Sequence, residues 1–143
     1  MVILKTEAEV EVMREAGRRL ASVLEALVRE VRPGVTAEFF DTLARQLILK
    51  AGSKPAFLGY NPDGAGSPFP AALCTSVNET VVHGIPSRYV LQEGDLLKLD
   101  IGLIYKGWYS DMAVTVGVGK ISPEAERLIR ATKEALEAGI REA

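Results

Sequence analysis

Apolar residues recur at alternating three- and four-residue intervals from Val10 through Met13, Gly17, Leu20, Leu24 and Leu27 to Val31. That spacing predicts one long amphipathic helix with a single buried stripe. TEAE at residues 6–9 signals its start, a capping box in which Thr6 accepts from the Glu9 amide while the Glu9 carboxylate reaches back. Pro33 and Gly34 stop it. Thr36 predicts the cap of a second helix that carries Phe40, Leu43, Leu47 and Ile48 and ends at Gly52. Asp41, Arg45 and Lys50 are expected on its solvated face. Between residues 54 and 70 the periodicity vanishes, and NPDGAGSP at 61–68 reads as a loop of turn formers. Residues 71–82, 95–105 and 108–118 are rich in Val, Ile, Leu and Thr and read as strands. Ser122 and Pro123 cap and open a third helix that runs toward the C-terminus. Helix, helix, strands and helix, with strands close enough for hairpins, make an α+β chain. No repeat or low-complexity stretch divides it, so residues 1–143 read as one domain.

The most informative stretch is GDLLKLDIGLIYKGWYSD at 94–111. Lys106 and Gly107 offer a tight turn between its two strands. A two-residue loop pairs Tyr105 with Trp108, Gly102 with Asp111 and Asp100 with Ala113; a loop closing at Ile104 and Tyr109 keeps that register. Asp100 and Asp111 then become diagonal neighbours on one face, roughly 7 Å apart or less. An odd loop would send them to opposite faces. Two carboxylates this close repel unless something neutralises them. A divalent cation, or two about 4 Å apart sharing one carboxylate, is one solution. Lys98, two residues before Asp100 on the same face, is the other. Gly102 opposite Asp111 would leave room for an ion to approach the sheet.

Charge narrows the partners. Lys and Arg number 17 against 19 acidic residues, a net charge of −2 with no basic run, so neither nucleic acid nor an anionic membrane is favoured. A lone cysteine, Cys74, excludes an internal disulfide and suits a reducing compartment. The N-terminus turns charged after four residues, which argues against a signal peptide, and no apolar run approaches a membrane span; the expected setting is cytoplasmic.

CTSVNE at 74–79, VHGIP at 82–86, GD at 94–95, DIG at 100–102 and GWYSD at 107–111 together resemble type I methionine aminopeptidases, in order and spacing. The likeness runs from the first helix to SPEAERLIRATKEA at 122–135. It implies half of a pita-bread (creatinase/aminopeptidase-like) fold, a curved antiparallel sheet with helices packed on one face. It implies removal of an initiator methionine from peptides and proteins, with two divalent ions (Co, Mn, Fe or Zn). By that resemblance Asp100 and Asp111 are metal ligands, Asp111 bridging both ions. His83, the only histidine, is the catalytic residue that contacts the scissile amide. Phe57, Tyr60, Phe69 and Cys74 fall where the family holds the methionine side chain. Phe57 replaces a cysteine of many relatives, and residues 61–68 lengthen the pocket loop.

The family also uses a histidine and two glutamates from a second half of the fold. After Asp111 there is no histidine, and Glu124, Glu126, Glu134, Glu137 and Glu142 read as the solvated face of the third helix. The chain is therefore expected to hold an incomplete metal site and to be weakly active or inactive alone. The alternative is a non-catalytic half-fold that forms a homodimer through the face left by the missing half and binds metal or peptide. A proline-specific relative fits residues 74–86 less well.

Overall fold

The computed structural model describes residues 4–62, 64 and 66–143. The N-terminal reading on residues 1–3 and loop positions 63 and 65 lie outside the described residues.

Helix α1 spans Glu7–Arg29, and its capping box forms: Glu9 N donates to Thr6 Oγ1 at 3.3 Å and Thr6 N to Glu9 Oε2 at 2.7 Å. Its buried stripe is Ala16, Leu20, Val23, Leu24 and Leu27, whereas Val10 and Met13 stay on the surface. Helix α2 spans Ala37–Lys50 and buries Ala37, Phe40, Ala44 and Ile48. Thr36 does not cap it through its side chain. Its first amides instead donate to backbone carbonyls, Ala37 N to Tyr89 O and Glu38 N to Ser87 O. A neighbouring segment that supplies acceptors leaves the threonine hydroxyl unneeded.

The expected solvated face of α2 is also corrected. Asp41 Oδ1 accepts from Ala72 N at 2.6 Å, Asp41 Oδ2 accepts from Arg45 Nε at 2.8 Å, and Arg45 Nη2 donates to Pro70 O at 2.7 Å. The pair clamps the entry of the sheet to the helix, because residues 70–72 offer backbone groups with no strand partner there.

The sheet holds β1 (Lys54–Pro55), β2 (Leu73–Val77), β3 (Leu96–Tyr105) and β4 (Trp108–Gly117), all antiparallel. Strand β3 is central, with β1 and β2 on one side and β4 on the other. β1 escaped the sequence reading because two residues carry no period. Leu97, Leu99, Ile101 and Leu103 of β3 face α1 and α2 and are fully buried, each worth roughly 1.5–3 kcal/mol of burial. Leu96, Lys98, Asp100 and Gly102 face the opposite side, which α1 and α2 leave open.

The strand expected over 71–82 ends at Val77. Asn78 turns left-handed at φ 49°, and its side chain holds the exit by accepting from Leu96 N and donating to Asp95 Oδ1. Asp95 also accepts from Gln92 N and the Tyr89 hydroxyl. Burial alone would raise its carboxyl, but these three hydrogen bonds outweigh that and hold it below its ordinary value. A lowered folded pKa gives stability that is present above the unfolded value and lost as pH falls through the folded one. Asp95→Asn is expected to cost about 1–3 kcal/mol at pH 7 and nothing extra at pH 2, as urea titrations at the two pH values would show.

Helix α3 spans Pro123–Glu142, and Ser122 Oγ accepts from Ala125 N at 3.2 Å. None of its residues is buried; Leu128, Leu136 and Ile140 are 64%, 63% and 64% exposed, and Leu128 and Leu136 line an open groove of about 560 Å³ with Val82, Leu96 and Val114. Its glutamates are exposed, as expected. No helix of the described residues is long and apolar enough to cross a membrane.

Candidate metal and peptide site

The β3–β4 turn is the two-residue form, with Lys106 at φ 49° and Gly107 at φ 85°. Tyr105 pairs with Trp108, Gly102 with Asp111 and Asp100 with Ala113. Asp100 and Asp111 therefore project diagonally on the open face. Lys98 does not neutralise them; its ammonium donates to the carbonyl of Asn78 at 2.5 Å. Burial pushes the Asp100 carboxyl above its ordinary value, the Asp111 charge adds to that, and His83 opposes it in part.

Cys74 on β2 pairs directly with Asp100 on β3. Burial first, and then the charges of Asp100 and Asp111, push its thiol up to about 11. The thiolate is the reactive form, so Cys74 is expected to alkylate about 100-fold more slowly at pH 8 than a small free thiol, or slower still from burial. An iodoacetamide time course with mass detection checks this; reaction at the free-thiol rate would contradict the buried position.

His83 reaches the site through close backbone contact. Beyond the turn at Asn78, the chain returns so that Thr75 N donates to Gly84 O at 2.8 Å and Gly84 N to Ser76 Oγ at 3.0 Å. His83 itself adopts φ 58°, an uncommon conformation for a residue with a side chain. The aromatic loop is closed by Gly59 N to Phe69 O and Phe69 N to Tyr60 O.

These segments enclose a cavity of about 440 Å³ lined by Phe57, Tyr60, Phe69, Cys74, His83, Ile85, Asp100 and Asp111. The seven residues assigned metal, catalytic or pocket roles by the resemblance all lie on its wall. Ile85 was missed as a lining residue, because the irregular segment around left-handed His83 has no period from which its direction could be read. One expectation is corrected: a Cβ on Gly102 would meet Phe57 Cε1 at 2.8 Å, so the glycine makes room for that ring and not for an ion. A wider hollow of about 580 Å³ beside α2 contains Glu38 and Asp41, but these already pair with Arg88 and Arg45.

Residues 11–143 match the metallopeptidase family M24. The chain belongs to that family. A methionine aminopeptidase of Clostridium perfringens (strain 13 / Type A) is 46% identical over 143 residues, all of this chain and 55% of that protein. One of Aquifex aeolicus (strain VF5) is 46% identical over 134 residues, 93% of this chain and 52% of that protein. The crystal structure of methionine aminopeptidase from Rickettsia prowazekii superposes with a TM-score of 0.91 at 34% identity, covering 98% of this chain and 54% of that one. The chain thus spans about half the length of the relatives it matches, and corresponds to the N-terminal half of a type I enzyme with its pita-bread fold.

M24 membership implies divalent metal. The donor set fits in part. Two carboxylates on one face, with no cation paired to them among the described residues, suit a hard divalent ion. Among the described residues, however, no group of three or more His, Cys, Asp or Glu side chains converges for an ion.

Proposed function

We propose that this chain supplies the carboxylate and substrate-pocket half of a methionine aminopeptidase site, acting on peptides and proteins that begin with Met. One observation carries the reading: Asp100, Asp111 and His83 share a single cavity with three aromatic rings and a thiol. Asp100 and Asp111 would hold the two divalent ions, which when bound polarise the scissile carbonyl and activate water. Phe57, Tyr60, Phe69 and Cys74 bury the unbranched thioether, for which rings and a soft sulfur are suited. Ile85 extends that apolar wall. His83 hydrogen-bonds the scissile amide as charge develops on it.

The residues also limit the activity. Two carboxylates offer at most three or four oxygens, about a third of the dozen contacts that a pair of six-coordinate hard ions requires. Among the described residues, the cavity wall holds no titratable groups besides Asp100, Asp111, His83, Cys74 and Tyr60, so none of these is spare to take a proton from water. The chain, acting as one domain in a reducing cytosol, is therefore weakly active or inactive alone. Calorimetry with Mn²⁺ beside a methionyl-peptide hydrolysis assay tests this: ion binding with little turnover is expected, and full turnover by the 143-residue monomer would refute it.

A second reading is a non-catalytic half-fold that pairs with itself and binds metal or peptide. The exposed apolar side of α3 and the free edge of β4 favour it.

A further inference from the structure

His83 stands at φ 58°, a left-handed conformation that a residue with a side chain keeps only where its surroundings impose it. The bonds from Gly84 N to Ser76 Oγ and from Thr75 N to Gly84 O fix the chain that follows it. The chain that precedes it is held less directly. Among the described residues, the one backbone bond made by residues 79–83 runs from Thr80 N to Val77 O. The direction from which the chain reaches His83 is therefore set at Asn78, the left-handed turn where β2 ends.

Asn78 is bonded through every polar atom it has. Its amide donates to Leu96 O at 3.0 Å, and its carbonyl accepts from Lys98 Nζ. Its side-chain oxygen accepts from Leu96 N and its Nδ2 donates to Asp95 Oδ1, both at 2.9 Å. Asp95, 7% exposed, is the member that joins separate segments. One oxygen takes Asn78, and the other takes Gln92 N and the Tyr89 hydroxyl.

We propose that Asp95 is a positioning residue for His83: by gripping the Asn78 side chain it aims residues 79–83, and with them the imidazole, into the peptide cavity. This rests on the reading that His83 meets the scissile amide. A small rotation of the Asn78 turn is carried along the five residues 79–83 to the histidine at their end. Asp100 and Asp111 are placed by the β3–β4 register, in which Asn78 has no part. Loss of the grip should misplace the ring and leave the carboxylates where they are. A contact that only stabilised the fold would leave the ring in place.

The donors and acceptors allow a reversal. Asp95→Asn alone sets donor against donor, either at Asn78 Nδ2 or at Gln92 N. Asn78→Asp alone sets two carboxylates against each other. The double variant satisfies every bond again: the new Asp accepts from Leu96 N and from the new Asn, whose oxygen still accepts from Gln92 N and the Tyr89 hydroxyl. Aspartate also tolerates the left-handed turn.

Nuclear magnetic resonance of the full metal-free chain reads the outcome, because His83 is the one histidine and its ring signals identify themselves. Recording at about pH 8.5, above the ordinary imidazole range, keeps protonation out of the comparison. Each single variant is expected to shift the ring signals, and the double variant to restore them. Thr6→Ala, which destabilises α1 by opening its capping box, is expected to leave them unmoved. Tyr89→Phe, which removes one of the three partners of Asp95, serves if Asp95→Asn does not fold. Signals unmoved by the single variants, shifted as much by Thr6→Ala, or not restored in the double variant overturn the proposal. Methioninamide, a small mimic of the scissile amide, is expected to shift the same signals in the wild-type chain. If it does not while the single variants do, the amide-contact reading fails and the positioning stands. If it does while they do not, the positioning fails and that reading stands.

Discussion

Gly84→Ala is expected to remove about 3–5 kcal/mol of stability, a large share of what a domain this size possesses. A Cβ at position 84 would stand 2.2 Å from the Thr75 carbonyl oxygen and 2.9 Å from its carbon. Both are backbone atoms of β2 and cannot swing aside. Relief requires the segment to move outward, which breaks the Thr75 N to Gly84 O and Gly84 N to Ser76 Oγ bonds at about 1 kcal/mol each. Residual overpacking adds about 1–3 kcal/mol. His83 would leave the cavity with that segment. Gly102→Ala is the milder comparison, because its contacts are with side chains, the Phe57 ring at 2.8 Å and Ala56 Cβ at 3.1 Å, and none comes as close as 2.2 Å. Urea unfolding of the two variants should rank Gly84→Ala well below Gly102→Ala. Equal midpoints would mean that the 83–85 segment is not held against β2.

Asp100→Asn and Asp111→Asn are expected to move two measurements in opposite directions. Each removes a charged oxygen donor, so Mn²⁺ affinity should fall at least tenfold, or about 1.4 kcal/mol. Without metal the same substitutions should stabilise the chain, because one of two mutually repelling charges is gone. Asp100 shows the sign. Its folded pKa is raised, so the fold is favoured below the unfolded value and loses that advantage as pH rises through the folded one. At neutral pH the full penalty applies, and Asp100→Asn should raise Tm by about 2–4 °C if it recovers on the order of 1 kcal/mol. Near pH 3 the gain should vanish. Calorimetric melting of metal-free protein at both pH values checks the sign, and a lower Tm at pH 7 would mean that the carboxylate is satisfied by protein contacts.

The carboxylate pair was legible because hairpin register is local. A Lys-Gly turn and strict alternation place Asp100 and Asp111 on one face whatever packs around them. The capping box at Thr6 and Glu9 was legible for the same reason: it joins positions three apart. Phe57, Tyr60, Phe69, Cys74 and His83 were named from resemblance, since nothing within reach of each in sequence marks it as part of a cavity.

The errors share a cause. Thr36 lost its capping role to carbonyls at Ser87 and Tyr89, and the Asp41–Arg45 pair found its backbone partners at Pro70 and Ala72. Gly102 turned out to accommodate Phe57. In each case the competing partner lies tens of residues away, so propensity and spacing carried no trace of it. By itself the sequence determined the three helices, the β3–β4 hairpin and the face each hairpin residue occupies, because these follow from dihedral sterics and periods of 3.6 and 2. Only the tertiary structure decided which polar groups are satisfied, which edge stays unpaired and that eight side chains enclose one cavity, because those outcomes depend on which distant surfaces meet.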